Sequence, residues 1–439
     1  MLRRTLTPVA IVAAVVSYTC VIRTRGIADH FLLLGDQIRD WSVALRPFSQ
    51  LPLAGPPRMD GGVSLGPVFY WMLWAIRVAI GPFFHNLPHA GGIGLALAES
   101  AADGVLLVGV RKSSGSWLFA AAAVLVIASS PFDLALSSAI WNPVLSVTFA
   151  KITIGLLLVW DEALTPAKRI TVAVFGWLTA QAHTPGLPFA LGILGWMIVR
   201  EGRRSIRDGM VAALDVATVV ILLQLPYQLA PSGGPTRMWS DLTHPARARI
   251  GDSARALGGG LEYLVLQPWP FAPFGALLLV AAVVLLAALG PFAVPVGVGT
   301  APLAAGAAVF ALWQGQYDFY WFMTLLPSAV LTITWLVLLL PEGMGRRAAT
   351  AALFVAALLA QPSRVRAAPA AFRLPEYGAV VRASETLVRG RERIKRIDAP
   401  FLPPTSNPEF VFKILGGELS SDASLVAVVS PSGDITYRR

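Results

Sequence analysis

Apolar residues run together along this chain instead of alternating. Twelve stretches are almost continuously hydrophobic, at about 5–22, 67–84, 91–110, 116–130, 141–160, 169–183, 186–199, 209–229, 268–289, 291–312, 318–340 and 347–360. A bilayer crossing takes about 20 mostly apolar residues, so the pattern predicts a bundle of membrane helices. The first stretch follows "MLRR" as a signal peptide would. No small-residue cleavage site comes after it, and it reads as an uncleaved span.

The polar positions between the runs set the orientation. Short basic loops fall at the start and at 111–115, 165–169, 200–208 and 341–347. Cytoplasmic loops carry the surplus of Lys and Arg, which puts 23–66, 131–140, 229–267, 313–320 and the tail after 360 outside. An odd number of crossings must then separate the first span from 111–115. The stretch 67–84, with Arg77 at its centre and many aromatics, suits a helix lying at the interface. The expected fold is an all-α polytopic membrane protein of about eleven transmembrane helices, with juxtamembrane helices in or beside the first external loop, 23–66.

Beyond residue 360 the character changes. Residues 383–397 have the period of a charged amphipathic helix. Residues 407–418 suggest a short helix capped by Asn407 and ended by Gly416 and Gly417. Residues 424–439 read as strand, turn and strand. The expected organisation is a transmembrane unit, 1–360, and a small extracytoplasmic α/β unit, 361–439, with no catalytic pattern of its own.

Composition narrows the class further. The chain is 55% hydrophobic and 14% charged, whereas soluble domains are about a quarter charged. The net charge of +10 is mostly accounted for by loops that set topology, and no nucleic-acid partner is expected. Cys20, the single cysteine, excludes an internal disulfide.

In so apolar a chain, "GDQIRDW" at 35–41 stands out. Projected on a helix, Ile38, Trp41, Leu45 and Phe48 share one side, and Asp36, Arg39, Asp40 and Arg46 share the other. Pro47 should end this helix. Asp36 has the look of an N-cap and Asp40 of a solvated acid. The loop that follows, "LPLAGPPRMDGGVSLGP" (51–67), holds Arg58 and Asp60 among turn residues. Such a loop either connects two helices or aims amides and a cation at a phosphate. Glu99, Asp103, Lys151 and Asp215 fall inside apolar runs, where charge is costly and marks function or structural ion pairs, for instance Lys151 with Glu99 or Asp103. Asn142, His183, Tyr317, Asp318 and Tyr320 fall near external span ends. His183 suits a ligand contact and a packing role equally.

In order, "GDQIRDW…LPLAGPPRMDGGVSLGPVFYW", "WNPVL", "GWLTAQAHTPGLPFAL", "LPY" and "YDFYWFMTLLP" resemble the bacterial GT-C glycosyltransferases of the family-39, aminoarabinose-transferase-like kind, relatives of the protein O-mannosyltransferases. The resemblance covers about residues 5–340 and rests on motif order. It implies a sugar carried on a polyprenyl phosphate, transferred at the outer face of the bacterial cytoplasmic membrane to a glycan, lipid or protein acceptor. An Asp of the first external loop, often followed by Glu, sits at the reaction centre of that family. Asp36 is the match here, with Gln37 in place of Glu and Asp40 as the next acid. Arg58, then His183 and Asn142, are the implied phosphate contacts, with Arg39, Asp60, Tyr317, Asp318 and Tyr320 as further substrate-binding candidates. No metal ligands and no obligatory cofactor are expected, although two acids one turn apart can hold a divalent cation through water. A transporter or flippase for a lipid-linked glycan is the alternative, favoured by the charges inside spans; a non-catalytic envelope assembly protein is the third.

Overall fold

The computed structural model describes residues 2–57, 62–160, 164–231, 250–269, 271, 273–312, 317–368, 377–403 and 405–438. Every one of the twelve apolar stretches is helical. The first becomes α1 (Leu2–Thr24), and the polar loop after it holds α2 (Gly35–Ala44), ended before Pro47 as its sequence requires. Then come α3 (Val68–Ala79), α4 (His89–Ser114), α5 (Trp117–Ala128), α6 (Pro131–Ser137), α7 (Asn142–Val159), α8 (Pro166–Ala182), α9 (Leu187–Gly202) and α10 (Ile206–Leu229). The second half contributes α11 (Ile250–Leu266), α12 (Phe274–Leu289), α13 (Val294–Ala311), α14 (Leu326–Thr334) within a longer helical stretch, and α15 (Met344–Ala367).

Among the described residues, six helices are long and apolar enough to cross a bilayer alone, and α5 with α6, bent by 68°, makes a seventh if taken as one broken span. The sequence count of eleven rests on apolar segments, several of which form helices shorter than a full span. The stretch 67–84 yields the 12-residue α3, short as an interfacial helix should be. Besides α2 and the helices of the tail, two helices lie in regions read as external loop. They are α6, fully buried, and α11, which packs on α12 and α13.

Small residues bring the central helices together. Helices α4 and α7 cross at Gly109 and Gly155, where a methyl group on Gly109 would come within 2.5 Å of the Gly155 carbonyl oxygen. This is the close backbone approach that membrane helices use in the absence of a hydrophobic drive. Beside this crossing, Glu99 and Asp103 of α4 meet Lys151 of α7, with Lys151 Nζ 2.6 Å from Glu99 Oε1 and 3.1 Å from Asp103 Oδ1. Arg23 of α1 and Asp133 of α6 complete the group. Arg23 Nη1 lies 2.5 Å from Asp103, and its Nη2 lies 3.1 Å from Asp133. All five side chains have zero exposure. Asp215, the other intramembrane acid, pairs with Arg169 at 2.7 Å.

The tail forms α16 (Tyr377–Gly390), β1 (Ile394–Asp398), α17 (Pro408–Ile414), β2 (Leu425–Val429) and β3 (Ile435–Arg438). The sheet order is β1-β2-β3, parallel between the first pair and antiparallel between the second. The amphipathic pattern at 383–397 is therefore half helix and half strand. Arg391 adopts a left-handed φ of 53° and breaks the helix. Asn407 does stand at the N-cap of α17, without a side-chain capping bond. Leu387, Ile394, Ile397, Phe412, Ala427 and Val429 form a small core between sheet and helices. The tail docks on the start of the first loop. The Tyr377 ring lies 5.3 Å from that of Phe31, its hydroxyl is 3.3 Å from His89 Nδ1, and Gly378 N–H donates to the Asp29 carbonyl at 3.2 Å.

Candidate active site

Helix α2 begins with Leu34 at the N-cap, and the cap interaction falls to Gln37, whose Oε1 accepts the Leu34 N–H at 3.2 Å. Asp36 is therefore not the cap expected from its place after Gly35. It sits in the first turn, where the helix dipole favours a carboxylate and where its side chain is 59% exposed. Gln37 also donates through Nε2 to the Ile140 carbonyl at 3.4 Å. Gln37 thus has a structural use, tying α2 to the chain just before α7.

Asp40 departs from the expectation of a wet, solvated acid. Its side chain is 1% exposed, because α3 covers the C-terminal half of α2 while leaving the first turn open. Two groups settle it there, and one of them reaches on to Asp36. Arg39 Nε donates to Asp40 Oδ1 at 2.8 Å, the Tyr70 hydroxyl donates to the same oxygen at 3.0 Å, and Arg39 Nη1 donates to Asp36 Oδ1 at 2.7 Å. The result is a chain of polar groups, Tyr70 to Asp40 to Arg39 to Asp36, running from the core to an open carboxylate. Burial pushes Asp40 up to about 6, although the Arg39 guanidinium and the Tyr70 hydroxyl pull the other way. Burial, and then the Asp40 carboxylate, raise the Tyr70 phenol as well, so it remains a donor. Tyr70 was hidden in the sequence inside an aromatic run; only the need of a buried acid for a donor points to it.

The facing wall comes from α7, α8 and the chain before α14. Asn142 opens α7 and shares its Nδ2 hydrogens with the Ala182 carbonyl at 3.0 Å, His183 Nδ1 at 3.3 Å and Ser64 Oγ at 3.4 Å. The Tyr320 ring lies 5.0 Å from that of Trp141 and 5.9 Å from that of His183. Asp318 and Asp36 both lie near enough to act on the Tyr320 phenol electrostatically. The structure thus gathers Asp36, Arg39, Asp40, Asn142, His183, Asp318 and Tyr320. Tyr317 turns away from this group. Its hydroxyl donates to the Phe310 carbonyl and its ring packs on Trp321 and Phe322. Arg58 and Asp60 lie outside the described residues. The chain on either side of them pairs antiparallel at Pro57 and Val63, and Gln224 Nε2 anchors it by donating to the Leu65 carbonyl at 2.7 Å.

Chemically, the site offers an open carboxylate fixed by a guanidinium, an imidazole held by an amide, and aromatic faces. Among the described residues no three His, Cys, Asp or Glu side chains converge as metal ligands would.

The fold around this site is shared with solved structures of an ArnT and of an oligosaccharyltransferase. The ArnT of Cupriavidus metallidurans bound to undecaprenyl phosphate superposes with a TM-score of 0.56 at 11% identity, over 93% of this chain and 84% of that one. Its apo state gives 0.55 at 13% identity, over the same shares. The oligosaccharyltransferase of Archaeoglobus fulgidus, in complex with Zn and sulfate, gives 0.53 at 13% identity, over 95% of this chain and 67% of that one. At these identities the likeness is one of fold. No family model matches the sequence, and no curated protein matches it.

Proposed function

We propose that this protein is a glycosyltransferase that moves a sugar from a polyprenyl-phosphate donor to an acceptor hydroxyl. The reaction takes place at the outer face of a bacterial cytoplasmic membrane. The observation that carries the reading is Asp36: an open carboxylate at the head of α2, aimed by Arg39 and near Tyr320, whose ring packs on His183, in a fold shared with a protein bound to undecaprenyl phosphate. Asp36 takes the proton from the acceptor hydroxyl as its oxygen bonds to the anomeric carbon. The bond from that carbon to the phosphate oxygen breaks, and the polyprenyl phosphate leaves with the electron pair. Arg39 and His183, with Arg58, are the groups proposed to meet that phosphate. A lipid monophosphate leaves as a stable anion, so no obligatory divalent cation is needed. The tail, docked on the first external loop, lies on the same outer side.

The transporter reading drew on the charges inside spans. Glu99, Asp103 and Lys151 are paired at zero exposure and Asp215 is paired with Arg169, so these charges are accounted for as structural ion pairs.

Lipid and glycan mass spectrometry of cells carrying Asp36→Asn, beside cells lacking the protein, tests the proposal. Both should accumulate one polyprenyl-phosphate sugar and lose one sugar decoration. A fully decorated Asp36→Asn strain would sink it.

A further inference from the structure

A cavity of about 390 Å³ opens beside the C-terminal end of α11, lined by Gly259, Glu262, Tyr263, Gln267 and Pro268. That volume lies within the range of small-molecule clefts, about 300–1,000 Å³. We propose that it is a carbohydrate-binding subsite that holds the acceptor sugar. The proposal rests on the transferase reading above and names the acceptor class which that reading leaves open.

Three observations converge on a sugar. The first is the chemistry of the wall. Glu262 offers a carboxylate, Tyr263 a hydroxyl and a flat ring, and Gln267 an amide. Among the described residues none of these side-chain groups has a protein hydrogen-bond partner, so each is available to a ligand. Carboxylate and amide oxygens accept from vicinal hydroxyls, the amide nitrogen and the phenol donate, and the aromatic ring packs against the C–H face of a pyranose. Among the described residues no Lys or Arg lines the cavity, which disfavours a phosphate, and its polar ends disfavour an acyl chain.

The second is that the wall is built. The last carbonyls of a helix need partners, and those of α11 receive them from side chains elsewhere in the bundle. Ser130 Oγ donates to the Leu264 carbonyl at 2.6 Å. Arg364, buried in α15, donates through Nε to the Gln267 carbonyl at 3.2 Å and through Nη2 to the Val265 carbonyl. Its Nη1 reaches Ser129 Oγ at 3.0 Å and the Val126 carbonyl at 2.8 Å. A buried guanidinium is costly unless fully bonded, and two of the four hydrogen bonds of this one fix the turn that shapes the cavity.

The third is continuity with the reaction centre. The Tyr263 ring lies 4.7 Å from that of Phe319, Phe319 lies 6.2 Å from Tyr320, and Tyr320 faces Trp141 and His183. An aromatic path thus joins the cavity to the wall opposite Asp36. A sugar seated at Tyr263 is aligned with that path, along which its reacting end approaches Asp36.

The test uses the full-length protein in lipid nanodiscs, probed by saturation-transfer NMR with a panel of methyl hexosides and pentosides. Wild type should show transfer to the ring protons of at least one glycoside. Glu262→Gln and Tyr263→Phe should each weaken its binding roughly tenfold, the loss expected for one hydrogen bond to a charged or buried partner. Tyr263→Ala should abolish it. Undecaprenyl phosphate binding in the same discs should be unchanged in all three variants, which shows that they are folded. Absence of glycoside transfer in wild type overturns the subsite. So does transfer indifferent to both Glu262→Gln and Tyr263→Phe. If wild type binds glycosides through Glu262 but does not bind undecaprenyl phosphate, the carbohydrate site stands and its role as acceptor subsite in a lipid-donor reaction is overturned.

Discussion

Two groups of charges in this molecule use the same functional groups to different ends. Inside the bundle, Arg23 and Lys151 meet Glu99, Asp103 and Asp133, all at zero exposure and drawn from α1, α4, α6 and α7. At the head of α2, Arg39 meets Asp36 and Asp40, with side-chain exposures of 35%, 59% and 1%. The inner group is closed on every side and ties four helices to one register. The outer group is buried at one end and open at the other, so that the packing of Asp40 and Tyr70 holds an exposed carboxylate in place. Charge in an apolar chain is thus no indicator of function by itself, since one group closes on itself and the other stays open.

The comparison predicts that breaking the inner group destroys the fold, and breaking the outer one destroys activity alone. Lys151→Met leaves three buried carboxylates facing a single guanidinium. Removing one partner of a buried ion pair costs about 3–5 kcal/mol, enough to prevent assembly of the bundle. Expression in membranes and the melting temperature of the purified protein should both collapse. A Lys151→Met protein that melts with wild type would show that the inner group does not hold the helices together.

Next in size is Asp36→Asn, with the opposite signature. Loss of a general base costs about 10²- to 10⁴-fold in rate, read as sugar transfer from a polyprenyl-phosphate donor in reconstituted vesicles. Because the side chain is exposed, the melting temperature should not move. Equal losses of activity and stability would merge the two groups into one structural class.

This asymmetry also explains what was readable from the sequence. Hydropathy alone located all twelve apolar helices, because a span must be continuously apolar whatever its neighbours are. It missed α11, whose run of Gly258, Gly259 and Gly260 and whose charges dilute the pattern, and it missed α6, only seven residues long. The pairing of Lys151 with Glu99 or Asp103 was legible, since intramembrane charges need partners. Arg23 and Asp133 were not, because both fell in segments read as external. At the site, Asp36 was correctly seen as exposed. The helix projection put Asp40 beside it, but a projection carries no information about α3 lying across one half of that face. Arg39 was named from the polar face of its helix, and Asn142, His183 and Tyr320 from their positions near external span ends; the structure packs Asn142, His183 and Tyr320 together and pairs Arg39 with Asp36. Tyr317 shares that neighbourhood in sequence and turns the other way.

A third prediction uses pH to probe the middle of the outer chain. Burial holds Asp40 at about 6 in the folded protein, against about 3.9 for an unfolded carboxyl. Between these values the folded state binds the extra proton. Asp40 therefore adds stability below about pH 4, and this is lost as pH rises through about 6. Activity should run in the other direction. Above pH 6 the Asp40 carboxylate holds Arg39, and below it the ion pair is lost and Arg39 is no longer fixed beside Asp36. Transfer should fall on acidification through about pH 6, and Asp40→Asn should remove that inflection while lowering activity at neutral pH. An unchanged inflection in Asp40→Asn would assign it to another group.

The smallest effect tests the innermost link. Tyr70→Phe keeps the ring and its packing between α2 and α3 and removes the single hydroxyl that donates to Asp40 Oδ1. An acceptor left short of a donor costs about 1–3 kcal/mol, but Arg39 still donates to the same oxygen at 2.8 Å, which places the loss at the low end. With less stabilisation of its ionised form, Asp40 should hold its proton to a higher pH. The acid inflection in activity should then move up from about 6, with wild-type rates recovered on the alkaline side. This signature separates positioning from catalysis, because a group that touched the substrate would lower the rate at every pH. A Tyr70→Phe profile lowered uniformly, with its inflection unmoved, would detach Tyr70 from the chain that leads to Asp36 and leave the outer group no deeper than Asp40.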